Sequence, residues 1–222
     1  MKLTIFSATG GVGRHVLEQA QTAGHQVTAA VRSPTKLPPD TKSVRVDLAA
    51  PDGRALQEAV RGADAVLSCL GRRTSADSGI TSRGTRAIVE AMQAVGTRRL
   101  IVISASPVST TPSPGRPHPP RMDPGEGPLQ RYLLTPLIKL VLARTVYLDL
   151  ARMEDILRAS DLDWTIIRPP RLTNGPPTGV YRTAFGQNLR RGLSISRADL
   201  ADFMLRALDQ PSTVRQAVGI AY

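Results

Sequence analysis

Lys2-Leu3-Thr4-Ile5-Phe6-Ser7-Ala8-Thr9-Gly10-Gly11-Val12-Gly13-Arg14-His15-Val16-Leu17 is the stretch on which the fold turns. Its first residues form a short apolar run with the Leu-Thr-Ile-Phe character of a strand. The run stops at Ala8-Thr9-Gly10-Gly11-Val12-Gly13. Beyond that, Val12, Val16, Leu17 and Ala20 recur at the spacing of one helical face and continue to Gly24. The order is strand, glycine-rich turn, helix.

The same alternation continues outward. Gln26 to Val31 reads as a second strand and Val44 to Leu48 as a third, with Asp47 at its end. Asp52 is placed to cap a helix over Arg54 to Val60, and Asp64 to Gly71 is an apolar strand with its turn. A helix over Thr81 to Val95 closes at Gly96, and Arg99 to Ile103 is a fifth strand. After an interruption come a helix from Tyr147 to Ser160, a strand from Asp163 to Ile167 and a turn at Arg168-Pro169-Pro170-Arg171. Ser196-Arg197-Ala198-Asp199 opens a last helix to Leu208, and a strand covers Val214 to Ile220. Strands alternating with helices at this spacing predict an α/β fold, a doubly wound parallel sheet in a single domain spanning residues 1–222.

The interruption is residues 107–146, read as a flap inserted in the domain. Nine of the 18 prolines lie between Pro107 and Pro136, which excludes ordinary helix or central strand there and predicts a long surface excursion. Leu129 to Val146 is apolar almost all round, the pattern of a helix that buries both faces, either as a flap over a site or as part of the core.

With 222 residues, 41% hydrophobic and 21% charged, the composition is globular. The 29 Lys and Arg against 18 Asp and Glu leave a net charge of +11. That excess invites nucleic acid, anionic membrane or phosphorylated ligands. The bases are mostly Arg, however, spread from Arg14 to Arg215 without a run longer than a pair. No helix-turn-helix, zinc or aromatic RNA-binding signature accompanies them, so no nucleic-acid partner is expected. The single cysteine, Cys69, forbids an internal disulfide and reads as a packing residue; three dispersed His give no metal site. No run approaches the roughly 20 apolar residues of a membrane span, and no signal-peptide pattern is present. A cytoplasmic protein without a membrane partner is expected, a monomer or weak homodimer.

A tight turn after the first strand lets backbone N–H groups at the next helix's N-terminus face a diphosphate. Thr9, Gly10, Gly11, Val12 and Gly13 are the candidates for that contact, with Gly10 and Gly13 where close backbone passage is needed; Ser7 replaces the first glycine of the usual pattern. At the end of the second strand, where an acid would bind a ribose 2′-hydroxyl, stands Arg32, with Arg14 after the turn and Lys36 nearby. This favours the 2′-phosphate of NADP, although Arg14 also suits a solvated helix surface. Asp47 is placed either beside the adenine or as a local cap.

Thr4 to Val16, Val31-Arg32, the Asp64 to Gly71 strand, Glu154 followed by Asp163-Trp164-Thr165-Ile166-Ile167-Arg168-Pro169, and Ile195-Ser196-Arg197-Ala198-Asp199-Leu200 together resemble the NAD(P)H-binding, NmrA-like branch of the atypical short-chain dehydrogenases. Within it the likeness is to the biliverdin-IXβ and flavin reductases. The resemblance spans the chain except residues 107–146. It implies a Rossmann fold with NADPH held by the glycine turn and Arg32. It also implies a nicotinamide pocket built from Leu70, Gly71, Ser104 to Ser106 and the segment Pro169, Pro170, Arg171 and Leu172; Leu48, beside Asp47, is a further cofactor-binding candidate.

Ordinary short-chain dehydrogenases carry Tyr and Lys four residues apart, the Lys lowering the pKa of a proton-donating Tyr. Here Tyr147 is followed at that spacing by Ala151, and Tyr132 by Pro136. The expected activity is therefore hydride transfer from NADPH to a planar or conjugated small molecule, such as a flavin, quinone or polycyclic metabolite, without that pair. Ser104 and Ser106 at the end of the fifth strand, and Tyr147 and Arg171, are the candidates for orienting it; Arg72 and Arg73 extend the positive field. A non-catalytic NADP sensor, or an isomerase or cyclase on the same frame, are the alternatives.

Overall fold

The computed structural model describes residues 1–71, 79–125 and 144–222. An eight-stranded sheet runs through them in the order β3-β2-β1-β4-β5-β6-β10-β8. The strands are β1 (Lys2–Phe6), β2 (Gln26–Val31), β3 (Ser43–Arg45), β4 (Ala65–Ser68), β5 (Arg99–Ile103), β6 (Asp163–Arg168), β8 (Arg182–Phe185) and β10 (Gln216–Ala221). All neighbours are parallel except β8, which runs antiparallel to β10 at the edge. A separate parallel pair joins β7 (Arg171–Thr173) to β9 (Ser194–Ser196).

Because β1 sits between β2 and β4, the chain crosses over the sheet after β3 and returns on the other side of β1. That reversal opens a crevice beyond the carboxyl ends of β1 and β4, the place where open α/β sheets take ligands. Both faces of the sheet are covered. Helices α1 (Gly11–Thr22) and α5 (Arg197–Arg206) pack Val16, Leu17, Leu200 and Met204 against Leu3 and Ile5. On the other face α2 (Gly53–Val60), α3 (Ile80–Val95) and α4 (Arg144–Ala159) pack Leu56, Ile88, Met92 and Leu157 against Phe6, Val66 and Leu100. Two-sided burial explains why Leu3 to Phe6 is a continuous buried run and not an alternating one. Each such side chain contributes roughly 1.5–3 kcal/mol.

The predicted cap of α2 is present, Asp52 accepting from the Arg54 N–H at 2.8 Å, and Gly96 closes α3 in the left-handed region with φ 79°. Several expectations need correction. The third strand stops at Arg45, so Asp47 lies beyond it in a turn. Strands β7, β8 and β9 occur where a turn or no element was expected, since runs of three or four residues are too short to show an alternation. The excursion from Pro107 runs mostly exposed between Pro112 and Met122, as a surface loop, but both ends of its described part are anchored in the interior. Ser106–Thr110 is a 3₁₀ turn that takes Pro107 in its first turn, where a missing N–H is tolerated, and it buries Val108 completely. Asp123, also buried, accepts from the Gly125 and Asn188 N–H groups at 2.9 and 2.8 Å. The apolar segment from Leu129 lies outside the described residues as far as residue 143; from Arg144 the chain is already in α4, which therefore begins before the expected Tyr147.

Candidate cofactor cleft

The turn after β1 is built by the residues that the glycine pattern singles out. Ser7 takes φ 59°, the left-handed conformation a glycine would adopt at no cost, and its carbonyl accepts the Gly10 N–H at 2.8 Å. A Cβ on Gly13 would fall 2.2 Å from the Ser7 carbonyl oxygen, so only glycine lets α1 pack this closely on the turn. Helix α1 is capped by Gly10 without a side-chain bond and has no acid in its first turn. Its first N–H groups and the positive end of its dipole thus face the crevice. This arrangement fits a diphosphate.

Two connected hollows flank the turn, with Ser7, Leu70 and Gly71 in the wall of both. The first is lined by Thr9, Arg32, Ser33, Lys36, Asp47 and Leu48. Arg32 and Lys36 are exposed, and neither forms an ion pair among the described residues. Asp47 accepts the Ala49 N–H at 3.0 Å, so it shapes its own turn as well as the hollow. Arg14 faces a neighbouring groove that it shares with Lys36, Leu37 and Pro38. Of the expected cations, then, two line the first hollow and Arg14 stands around the corner.

The second hollow is walled by Gly10, Gly11 and Val12, by Cys69 and Thr81, and by Ile103, Ser104, Val146, Leu150, Leu172 and Arg197. Ser104 sits where β5 ends, and its hydroxyl donates to Glu154 Oε1 at 2.7 Å. Glu154, on α4, is wholly buried and is gripped twice by Arg168, from Nε to Oε1 at 2.9 Å and from Nη2 to Oε2 at 2.6 Å. Arg158 adds a third bond at 2.7 Å. Burial alone would raise the pKa of Glu154. The bonds and charge of Arg168, the charge of Arg158 and the Ser104 hydroxyl outweigh that and hold the carboxyl below its ordinary range. Glu154 is therefore a carboxylate, and the one proton of Ser104 is committed to it.

The N-terminus of α3 also reaches this hollow, through Thr81. Its own cap, Gly79, offers no side chain; Asp149 from α4 accepts instead from the Thr81 and Ser82 N–H groups at 3.0 and 3.1 Å and from both hydroxyls. Cys69 is half-buried in the cleft wall just past β4, not inside the strand as expected, and its apolar surroundings push the thiol up to about 12. The remaining candidates fall outside both hollows. Ser106 donates to the Arg168 carbonyl at 3.3 Å and its N–H to the Pro169 carbonyl, and Pro169 and Pro170 line neither hollow. Tyr147, on α4, packs against the core, where burial raises its pKa, while its helix neighbours Val146 and Leu150 line the cleft. Arg171 is exposed on β7. Arg72 and Arg73 lie outside the described residues. Sequence reasoning missed Arg197, Asp149 and the role of Glu154. Among the described residues no cluster of His, Cys, Asp and Glu suits a metal ion, and no helix is long and apolar enough to cross a membrane.

Comparison with known proteins agrees with this geometry. An uncharacterised chloroplastic protein of Arabidopsis thaliana is 26% identical over 99% of this chain and 76% of its own length. YhfK of Bacillus subtilis, described as an uncharacterised sugar epimerase, is 27% identical over 98% and 92%. Among solved structures, a short-chain dehydrogenase/reductase from Veillonella parvula in complex with NADP superposes with a TM-score of 0.77 at 19% identity, covering 100% of this chain and 94% of that one. ChuY, an anaerobilin reductase from Escherichia coli O157:H7, gives 0.76 at 20% identity, covering 100% and 97%. At these identities the structures establish a shared Rossmann-like fold. The model of the NAD(P)H-binding family matches residues 7–211, from the first residue of the glycine turn to just past the last helix, and the chain belongs to that family.

Proposed function

We propose that this protein is an NADPH-dependent oxidoreductase acting on a flat, conjugated small molecule without a Tyr–Lys pair. The observation that carries the reading is the asymmetry of the cleft. Arg32 and Lys36, without an ion pair among the described residues, stand at one end, and Ile103, Val146, Leu150 and Leu172 wall the other. Guanidinium and ammonium groups where NAD-binding proteins place an acid favour a 2′-phosphate on the ribose. The N–H groups of the turn over Gly10 to Val12 hold the diphosphate.

When bound, the reduced nicotinamide supplies a hydride, so that the acceptor gains two electrons and takes up one proton. The chain's own residues bind, orient and exclude water. The apolar wall favours a planar face over a sugar. Ser104, its proton given to Glu154, offers only lone pairs to the cleft; it receives an N–H or O–H and protonates nothing. With no lysine four residues after Tyr147 or Tyr132, the balancing proton is drawn from solvent. The resemblance to biliverdin-IXβ and flavin reductases, and the naming of ChuY as an anaerobilin reductase, support this acceptor class.

The test is loss of NADPH absorbance with a panel of flavins, quinones and bilins, run in parallel with NADH. Turnover with at least one acceptor, faster with NADPH, is expected. Replacing Arg32 by Ala is expected to weaken NADPH roughly 10- to 100-fold, the worth of a charge-assisted hydrogen bond, and to leave NADH unchanged. Thermal stabilisation by NADP with no oxidation against any acceptor would sink the enzyme and favour the sensor.

A further inference from the structure

We propose that Arg197 is a second arm of the dinucleotide site, a guanidinium that lies against the glycine turn at Gly11 and meets the diphosphate beside the turn's own N–H groups. Arg197 is the first residue of α5, directly after the N-cap Ser196, whose hydroxyl accepts the Asp199 N–H at 2.9 Å. Its side chain runs back across the turn. A Cβ added to Gly11 would lie 2.9 Å from Nε and 3.2 Å from Cδ, so the absence of a side chain at position 11 is what makes room for it. The start of α5 is held on α1, where Gln19 Nε2 donates to the Ala198 carbonyl at 3.0 Å. Asn174 Oδ1 holds Nη1 at 2.6 Å.

That single bond is to a neutral amide, and among the described residues no carboxylate pairs with Arg197. An uncompensated guanidinium therefore stands beside the uncapped, acid-free N-terminus of α1, two positive sources converging on one space. An anion between them is attracted by both, and a diphosphate is long enough to meet both. Arg197 lines the hollow of Gly10 to Val12 and not that of Arg32 and Lys36, which separates its phosphate from the 2′-phosphate.

The inference rests on dinucleotide binding but not on the choice of NADP. It is tested by binding alone, with NADPH, 2′-phospho-ADP-ribose, which keeps the diphosphate and lacks the nicotinamide, and 2′-AMP, which lacks the diphosphate. Arg197→Met should weaken the first two by the same factor, roughly 10- to 100-fold, and leave 2′-AMP within twofold. Arg197→Lys should fall between, and Asn174→Ala should lose part of the affinity by freeing the guanidinium. Unchanged NADPH affinity in Arg197→Met overturns the proposal. Equal weakening of 2′-AMP overturns it too, because the loss would then be one of folding. A loss for NADPH without one for 2′-phospho-ADP-ribose would move Arg197 to the nicotinamide or substrate end and also overturns it. If the wild type prefers NADH, the 2′-phosphate reading fails, and the same variants are judged on NADH, ADP-ribose and adenosine.

Discussion

Glu154→Gln tests the centre of the site most directly. The carboxylate is completely buried and its main partner, Arg168, is 3% exposed, so the substitution leaves a guanidinium in the interior with its counter-charge removed. Breaking a buried pair from one side costs roughly 3–5 kcal/mol. For a chain of this size each kcal/mol moves the melting temperature by about 2–4 °C, so a fall of roughly 6–20 °C is expected. Arg158 provides the contrast. A third of its side chain is exposed, and Arg158→Ala should cost no more than about 1 kcal/mol. The pH dependence has a definite sign. A carboxyl held below its unfolded value of about 4.3 contributes its full stability above that pH and loses it as the pH falls through the folded value. The gap in melting temperature between wild type and Glu154→Gln should therefore be constant from neutral pH down to about 5 and narrow below about 4.3. Circular dichroism melts across that range decide the matter. A Glu154→Gln protein that melts within a degree of wild type, or a gap that stays constant in acid, would refute the charged, buried network.

Gly13→Ala places a methyl against the Ser7 carbonyl and should cost about 1–3 kcal/mol while weakening NADPH at least roughly 10-fold, read by melting and by fluorescence titration; unchanged affinity would show that the turn can shift freely. Asp149→Ala removes the cap that α4 lends to α3 and should cost about 0.5–2 kcal/mol, with Asp149→Asn recovering part of it. A melt identical to wild type would dismiss the cap. With its thiol pushed up to about 12, Cys69 should react with alkylating reagents at pH 8 roughly a thousandfold more slowly than free cysteine, despite lining the cleft; a free-cysteine rate would contradict the apolar surroundings.

The parts of the molecule that were legible in advance are those in which neighbours along the chain decide the conformation. The β1 strand, its turn and α1 depend on an apolar run, on glycines where a Cβ would collide, and on helical spacing; all lie within residues 2–24. Arg99–Ile103 is likewise a strand over the range its residues predict. Ser196 caps α5 through Asp199 three residues on. Illegible were the contacts between elements. Asp149 caps a helix 68 residues earlier, and Ser104 meets its acceptor 50 residues later. Proline between residues 107 and 125 excludes helix, but says nothing of where the segment packs, so a buried 3₁₀ turn and a buried Asp123 could not be distinguished from a surface loop.

Ser104 shows why the site needed the structure more than the fold did. A serine at the end of β5 is a cleft hydroxyl on position alone, and a hydroxyl is both donor and acceptor. Position cannot choose between them. The choice is made from behind, by a carboxylate on α4 that stays ionised because Arg158, one turn along the same helix, and Arg168, at the end of β6, hold it so. Once the proton points inward, the same serine that would have donated to a substrate carbonyl can only receive, and the chemistry open to the cleft narrows to ligands that present N–H or O–H at that point. A side chain's identity was readable from the sequence; the direction of its hydrogen bond, on which the mechanism depends, belongs to the tertiary structure.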